Sequence, residues 1–365
     1  MSTEATSLKV KGLSLPRINA VDLFCGVGGL THGLMRAGIN VAAGVDLDVN
    51  CKFAFELNNA SKFIAADISS LQGADIASYL KGGEYSLLAG CAPCQPFSTY
   101  SRKGRNKKHE QQWPLALEFA RLVEELQPDF VTMENVPQLA DHQVFLDFVA
   151  LLKGYSCWWG VVDCLQYGIP QTRKRLVLIA SKLGGDYLQL TPTHAKPVTV
   201  RDVIGHLPAI NAGQADSSDP LHTASSLSPL NMRRIKASSP GGAWRDWPPE
   251  LLATCHIKSS GSTYPSVYGR MEWDKPSPTI TTQCFGFGNG RFGHPSQDRA
   301  ISLREAAILQ TFPEEYKFLP DDEKVRFNKL GRLIGNAVPV RLGEVIAETL
   351  FSHLGSFVQA KLANS

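Results

Sequence analysis

INAVDLFCGVGG, Ile18 to Gly29, is the stretch whose reading decides the fold. Ile18 to Phe24 is an apolar run with β-branched residues, the pattern of a buried strand. Cys25-Gly26-Val27-Gly28-Gly29 follows, and helical spacing runs from Leu30 to Ala37. Strand, glycine turn and helix in that order is how an α/β sheet approaches a nucleotide-like cofactor, because a backbone without Cβ atoms can come close to it. Taken alone, such a turn is also an ordinary tight turn. The next unit strengthens the cofactor reading. Asn40 to Val45 is a second strand, ending at Asp46, roughly twenty residues beyond Gly26, where an acid meets ribose hydroxyls. Asp46 could equally cap a helix from Val49 to Leu57. A third short strand, Lys62 to Ala65, leads to Asp67 and Ile68, and Asp67 suits either an adenine amino group or a turn cap.

Working outward, Tyr85 to Ala89 is another buried strand, running into GCAPCQPFS, Gly90 to Ser98. Pro93 and Pro96 bracket Cys94; each fixes φ and removes a donor, so the loop is stiff. A cysteine held at the C-terminal end of a strand sits where open α/β sheets do chemistry. It reads as a nucleophilic thiolate, or as a small buried hydrophobe. Cys91 and Cys94 also form a C-x-x-C, which suits metal or thiol exchange. The other cysteines are scattered, so no metal site is expected. Arg102, Lys103, Arg105, Lys107 and Lys108 follow in an aperiodic polar stretch. Their charge is either a phosphate clamp or a solvated surface, and the position directly after Cys94 favours the clamp.

Leu115, Phe119, Leu122, Val123 and Leu126 recur at helical spacing. Phe130 to Met133 is a strand ending at Glu134-Asn135-Val136-Pro137, which makes Glu134 a candidate acid or hydrogen-bond anchor. A helix over 145–152 and strands over 156–165 and 175–181 complete this region. Between those strands Arg173 and Arg175 alternate, so they face one side of an extended chain. They read as a surface salt-bridge pair or as clamps on a substrate oxygen. From about Thr191 the texture changes to Pro, Ser, Gly and Thr, and periodic segments disappear until Leu303 to Gln310 and Val340 onward. A second, loop-rich domain is expected there, with Gly335-Asn336-Ala337-Val338-Pro339 as a tight turn into the last helix.

Composition bounds the rest. The chain has 365 residues, 43% hydrophobic and 19% charged, enough for one large domain and a smaller one. The N-terminus shows no leader pattern and no apolar run has membrane length, so no membrane association is expected. Eight cysteines, mostly inside the expected strands, fit a reducing compartment. A net charge of +3 leaves any nucleic-acid surface to local clustering.

These motifs together resemble the cytosine carbon-5 DNA methyltransferases, of the bacterial type. DLFCGVGG (Asp22 to Gly29) looks like the family's first cofactor motif and Pro93-Cys94-Gln95 like its catalytic loop. Glu134-Asn135-Val136 is similar to its carboxylate motif, and Gln171-Thr172-Arg173-Lys174-Arg175 to its Q-x-R-x-R motif. Arg304-Glu305 with Leu309 to Pro313 matches the motif that braces the variable region, and Gly335-Asn336-Ala337-Val338 the last cofactor motif. All six stand in the family's order.

The resemblance implies a doubly wound, Rossmann-like α/β methyltransferase sheet over 12–190 and 300–365, with a smaller target-recognition domain, 191–299, inserted before the C-terminal segment. It implies an S-adenosylmethionine site lined by Phe24, Gly26, Gly28, Gly29, Asp46, Asp67, Ile68, Pro93, Asn336 and Val338, with S-adenosylhomocysteine as product. Cys94 would add to carbon 6 of a flipped-out cytosine in duplex DNA, Glu134 would contact the ring nitrogen at position 3 and the exocyclic amine, and Arg175, with Arg173 beside it, would hold the position-2 oxygen. Ser98 and the basic residues 102–108 would close on the DNA, and Arg233, Arg234, Arg245 and Arg270 are candidate guanine readers. A monomer acting in the cytoplasm at the nucleoid is expected, with a cognate restriction endonuclease as a separately acting partner. The sequence departs from the family in two places: Ala92 stands where many members have proline, and the variable region carries no motif that decodes into a DNA sequence. The alternative is methylation of a cytosine in transfer RNA, which Gly286 disfavours, since that branch has threonine after Cys-Phe where this chain has Cys284-Phe285-Gly286.

Overall fold

The computed structural model describes residues 9–10, 13–14, 16–93, 114–258 and 265–363. The chain divides into two compact units. The first holds residues 1–163, 174–192 and 338–365; the second holds 164–173 and 193–337. The second unit is larger than the 191–299 span expected for an inserted domain: it begins at Thr193, runs on to Ala337 and also takes in Cys164–Arg173.

In the first unit, the strands are β1 (Ile18–Leu23), β2 (Asn40–Asp46), β3 (Lys62–Ala65), β4 (Tyr85–Gly90), β5 (Phe130–Asn135), β6 (Ser156–Asp163) and β7 (Lys174–Ser181). They form one sheet in the order β3-β2-β1-β4-β5-β7-β6. The first five are parallel; β7 runs antiparallel between β5 and β6. The strand order reverses between β1 and β4, the crevice at which doubly wound sheets bind ligands. The glycine turn after β1 and the cysteine loop after β4 both leave the sheet at that point.

Helices α1 (Gly29–Arg36), α2 (Lys52–Asn58), α3 (Gly73–Leu80), α4 (Pro114–Leu126) and α5 (Gln143–Leu151) connect the strands, and the C-terminal helix Val340–Ala363 returns to the sheet. Apolar residues of α3, α4 and α5, among them Ile76, Phe119, Phe145 and Phe148, bury one face of the sheet against Val21, Leu88, Val131 and Leu178. The C-terminal helix packs on α1 so closely that a Cβ on Gly33 would lie 2.1 Å from the Val340 carbonyl oxygen. No side chain fits between the two backbones there. His353 anchors the same helix, its Nε2 2.8 Å from Ser181 Oγ.

The strand boundaries expected from periodicity agree with these to within two residues. Helix α3 was not legible: GADIASYL is short and its start is set by a box between Gln72 and Asp75. The expectation that most cysteines lie in strands does not hold, because among the seven described cysteines, none of them in a disulfide, only Cys157 lies in one. Cys25 sits in the glycine turn, Cys51 and Cys164 in single 3-10 turns, and Cys91 just past β4.

The second unit is irregular, with helices at Val200–Ile204, Pro229–Lys236, Thr254–Ile257, Leu303–Leu309 and Phe327–Asn336. An apolar core of Ile235, Trp244, Trp247, Leu251 and Phe287 holds one part of it. A buried ion pair holds another: both terminal nitrogens of Arg299 reach Glu305 at 2.7 Å. Burial raises the Glu305 carboxyl, but the hydrogen bonds and charge of Arg299 outweigh it and hold Glu305 below the ordinary carboxylate range. Arg304 grips Asp219 with a second fork, 2.6 and 3.1 Å. The adjacent Arg304 and Glu305 thus brace two different loops, as planar bidentate geometry allows.

Candidate active site

The cofactor-binding residues expected in the first unit gather at the C-terminal edge of the parallel strands. The turn after β1 is tight: Phe24, Gly26 and Gly28 have φ of 58°, 52° and 87°. For Gly26 and Gly28 the left-handed region is free of steric cost; for Phe24 it is a strained conformation that the surroundings must hold. A Cβ built on Gly26 meets nothing within 4 Å, so the turn opens onto space. Asp46, at the end of β2, ties the turn down. Its Oδ2 accepts from the Gly26 N–H at 2.8 Å and its Oδ1 from the Asp48 N–H at 2.8 Å. The N-cap position of the following turn belongs to Asp48 rather than Asp46. Beside it Leu47 is 70% exposed, an apolar surface that sequence reasoning passed over because one leucine carries no pattern.

Asp67, past the end of β3, is exposed and accepts from Ser69 N and Oγ at 2.9 and 2.7 Å. Those two bonds hold its carboxyl below the usual range. Ile68 beside it is buried. The residues present fit an S-adenosyl nucleoside: an acid at the end of β2, a glycine turn open on one side, and exposed leucine for a base to lie on. Behind the turn Asp22 is buried and accepts from Thr31 Oγ1 at 2.6 Å. Burial, with Asp46 adding to it and Thr31 opposing, raises its carboxyl to about 7.

The second group of residues lies on β5 and β7. Because β7 is antiparallel to β5, its first residues reach the same edge at which β5 ends. Val177 pairs with Glu134, so Arg175 is the diagonal neighbour of Glu134 on one face of the sheet. Arg175 Nε lies 2.6 Å from Glu134 Oε1. The N–H is not aimed at that oxygen, so the contact is an ion pair, and Oε1 holds no hydrogen bond among the described residues. Glu134 is 3% exposed and Arg175 13%, which rules out a surface pair. Glu134 Oε2 accepts from Cys91 Sγ at 2.8 Å. Asn135 holds the root of the cysteine loop, its Nδ2 donating to the Ala92 carbonyl at 2.9 Å. Pro93 is exposed at the end of the described stretch. Cys94, Ser98, Arg102, Lys103, Arg105, Lys107 and Lys108 lie outside the described residues.

A buried carboxylate beside a guanidinium, with one oxygen that accepts no hydrogen bond among the described residues, can hold a polar heterocycle edge-on and balance charge that develops on it. That is the chemistry this edge offers.

In the second unit Arg173 is buried and donates to the Ile280 carbonyl at 3.1 Å. Gln171 crosses the same region, donating to Leu309 O and Gln310 Oε1 at 2.8 and 2.7 Å and accepting from Ile280 N at 3.1 Å. Gln310 in turn donates to Ile334 O and Ala337 O at 2.9 and 3.2 Å, which holds the turn containing Asn336. Gly335 is required there by packing, since a Cβ would sit 2.3 Å from the Thr281 carbonyl carbon. Asn336 is exposed, and Val338, the first residue back in the first unit, is buried.

Two of the four arginines expected to read bases are not available for it. Arg270 is 5% exposed and donates to Ile235 O, His294 O and Gln297 O, besides pairing with Asp298. Arg234 is 8% exposed, donates to Leu251 O at 2.9 Å and lies over the rings of Trp247 and Tyr268. Both are structural cations, and an exposed guanine edge cannot compete with that many satisfied donors. Arg233 and Arg245 are exposed. Cys284 is fully buried, and burial pushes its thiol up to about 12.

Residues 18–352 match the model of the family described as C-5 cytosine-specific DNA methylase. The chain is 52% identical over 337 residues to the Type II methylase M.HgiDII of Herpetosiphon aurantiacus, covering 90% of this chain and 94% of that protein. It is 31% identical over 338 residues to the Type II methyltransferase M1.HphI of Haemophilus parahaemolyticus, covering 90% and 86%. Among solved structures, it resembles a prophage-encoded E. coli protein described as a DNA modification methyltransferase, with TM-score 0.71, 25% identity and coverage of 93% and 99%.

Proposed function

We propose, for a chain that belongs to the C-5 cytosine-specific DNA methylase family, methylation of carbon 5 of a flipped-out cytosine in a specific duplex DNA site. The observation that carries this reading is the buried Glu134–Arg175 pair at the end of the sheet, whose Oε1 accepts no hydrogen bond among the described residues. Carbons 5 and 6 of a stacked cytosine are inaccessible, so the base must leave the helix to reach such an edge. Glu134 would take the ring nitrogen at position 3 and the exocyclic amine, and Arg175 the position-2 oxygen; Arg173 would support that segment through Ile280. The Cys94 thiolate would then form a bond to carbon 6. The electron pair of the 5,6 double bond moves toward carbon 5 and the ring nitrogen that Glu134 holds, so carbon 5 becomes nucleophilic. S-adenosylmethionine, held by Phe24, Gly26, Gly28, Gly29, Asp46, Leu47, Asp67, Ile68, Pro93, Asn336 and Val338, supplies the methyl group when bound. Loss of the carbon-5 hydrogen as a proton restores the double bond and expels Cys94.

Ser98, the basic residues 102–108, Arg233 and Arg245 would contact the DNA, the last two in base readout; Arg234 and Arg270 are withdrawn from that role. A Type II restriction–modification setting, with a separately acting endonuclease and a monomeric methylase working on the nucleoid, is the biological context we favour. DNA is favoured over transfer RNA because the family is one of DNA methylases and because Gly286 replaces the threonine of the RNA branch.

The test is a duplex with 5-fluorocytosine at the target, incubated with enzyme and S-adenosylmethionine. Fluorine cannot leave as a cation, so the intermediate accumulates as a denaturation-stable protein–DNA adduct. Cys94→Ala should give none, and Cys91→Ala should still give it. An adduct that persists in Cys94→Ala overturns the assignment.

A further inference from the structure

Cys91 has no part in the reaction above, yet the sheet brings it to the centre of the site. Parallel pairing of β4 with β5 sets Leu87 against Phe130, Ala89 against Thr132 and Gly90 against Met133. One step further puts Cys91 level with Glu134. The residue is still held by the sheet, because its N–H donates to the Leu23 carbonyl at 3.2 Å. Its Sγ is 2.8 Å from Glu134 Oε2, while Arg175 Nε flanks Oε1 at 2.6 Å. The last torsion of a glutamate is broad and nearly two-fold, with little preference of its own. At 3% exposure no bulk water fixes it either. The plane of this carboxylate is therefore set by its two neighbours, a thiol on one oxygen and a guanidinium on the other.

We propose that Cys91 is a positioning residue for Glu134. Its thiol holds Oε2 and thereby turns Oε1, the oxygen without a hydrogen bond, toward the ligand. A thiol is a weak donor, so it orients the carboxylate without saturating it. Preorganised orientation of this kind acts on the reacting complex more than on binding. The inference rests on the reading of Glu134 as the group that contacts the cytosine. It also gives the C-x-x-C pair an asymmetric meaning: Cys91 serves the carboxylate, Cys94 the covalent bond.

The test uses the full chain and a duplex containing its mapped site. Single-turnover methyl transfer is measured with radiolabelled S-adenosylmethionine for the native enzyme, Cys91→Val, Cys91→Ser and Glu134→Gln. Valine keeps the volume and removes the donor; serine restores a donor. Affinities for DNA and for S-adenosylmethionine, and the melting temperature, are measured alongside. Cys91→Val should slow the methyl-transfer step by about tenfold, the size expected for one hydrogen bond to a charged group. Both affinities should stay within about twofold, and Cys91→Ser should recover to within about threefold of the native rate. Should Cys91→Val fail to fold, Cys91→Ala takes its place with the same expected loss. A native rate in Cys91→Val, or no recovery in Cys91→Ser, overturns the proposal. So does a loss seen only in the affinities, the mark of a packing defect. Glu134→Gln at the native rate would instead refute the role of Glu134, whereas a slow Glu134→Gln with a native Cys91→Val refutes this inference alone.

Discussion

Asp46 is where the structure converts a spacing argument into a measurable one. Each carboxylate oxygen has two acceptor sites. One site on Oδ2 is taken by the Gly26 N–H and one on Oδ1 by the Asp48 N–H, both at 2.8 Å. Asp46 stands at the end of β2, where a doubly wound sheet places the acid that meets a ribose. Asp46→Ala removes both functions. The two backbone donors are partly exposed and can turn to water, so the loss of stability should be about 2 kcal/mol rather than the sum of two charged hydrogen bonds. For a unit of roughly 200 residues this lowers Tm by about 4–8 °C. The loss of charged acceptors for the ribose should weaken S-adenosylmethionine by ten- to a hundredfold, about 1.5–3 kcal/mol. Asp46→Asn keeps one acceptor oxygen and should fall between. Asp48→Ala removes the side-chain bonds from Asn50 N and Nδ2, keeps the Asp46 carboxylate, and should leave the affinity unchanged. Isothermal titration calorimetry on the folded variants decides it. An Asp46→Ala protein that binds the cofactor within twofold of native, with only its Tm lowered, would show that Asp46 is a strap for the glycine turn and nothing more.

Further expectations follow from particular side chains. Arg233→Ala or Arg245→Ala should relax one position of the recognised site at about 1–3 kcal/mol of discrimination, whereas Arg270→Ala should lower Tm and leave the methylation map unchanged; sequencing-based mapping reads both. Asp22 has a folded pKa of about 7 against ~3.9 unfolded. The folded state therefore holds the extra proton between those values, and the contribution of Asp22 to stability is full below about pH 4 and lost as pH rises to 7, up to ~4 kcal/mol. Denaturant titrations from pH 4 to 8 should show that slope in the native enzyme and a flatter one in Asp22→Asn. Gly335→Ala should destabilise the second unit by roughly 2–4 kcal/mol, because the backbone carbonyl carbon 2.3 Å from the new methyl must move; an unchanged urea midpoint would refute it.

Much was legible in the sequence because it is local. Alternation and apolar runs marked all seven sheet strands, and the glycine turn, the acid at the end of β2 and the prolines around Cys94 are close along the chain. Their order identified the family. Local pattern also failed in identifiable places. Helix α3 and the helix Phe327–Asn336 were missed, the first because it is short and the second because its glycines are there for packing rather than to signal a helix, Gly331 admitting the Phe285 ring and Gly335 the Thr281–Thr282 backbone. Arg234 and Arg270 looked like surface charges because nothing in a linear sequence distinguishes a solvated arginine from one that holds carbonyls 35 or 27 residues away.

The sequence by itself determined the fold class and the family and nominated the candidate reacting groups, since strands, turns and motif order are set by residues adjacent in the chain. Only the tertiary structure decided how those groups meet. β7 had to insert antiparallel beside β5 before Arg175 could stand diagonal to Glu134. The parallel register of β4 on β5 had to be set before Cys91, 43 residues away in the chain, could lie against the same carboxylate. Register is fixed by burial across the whole sheet, since a slip of one residue would turn every side chain to the opposite face. No periodicity within a single strand carries that information.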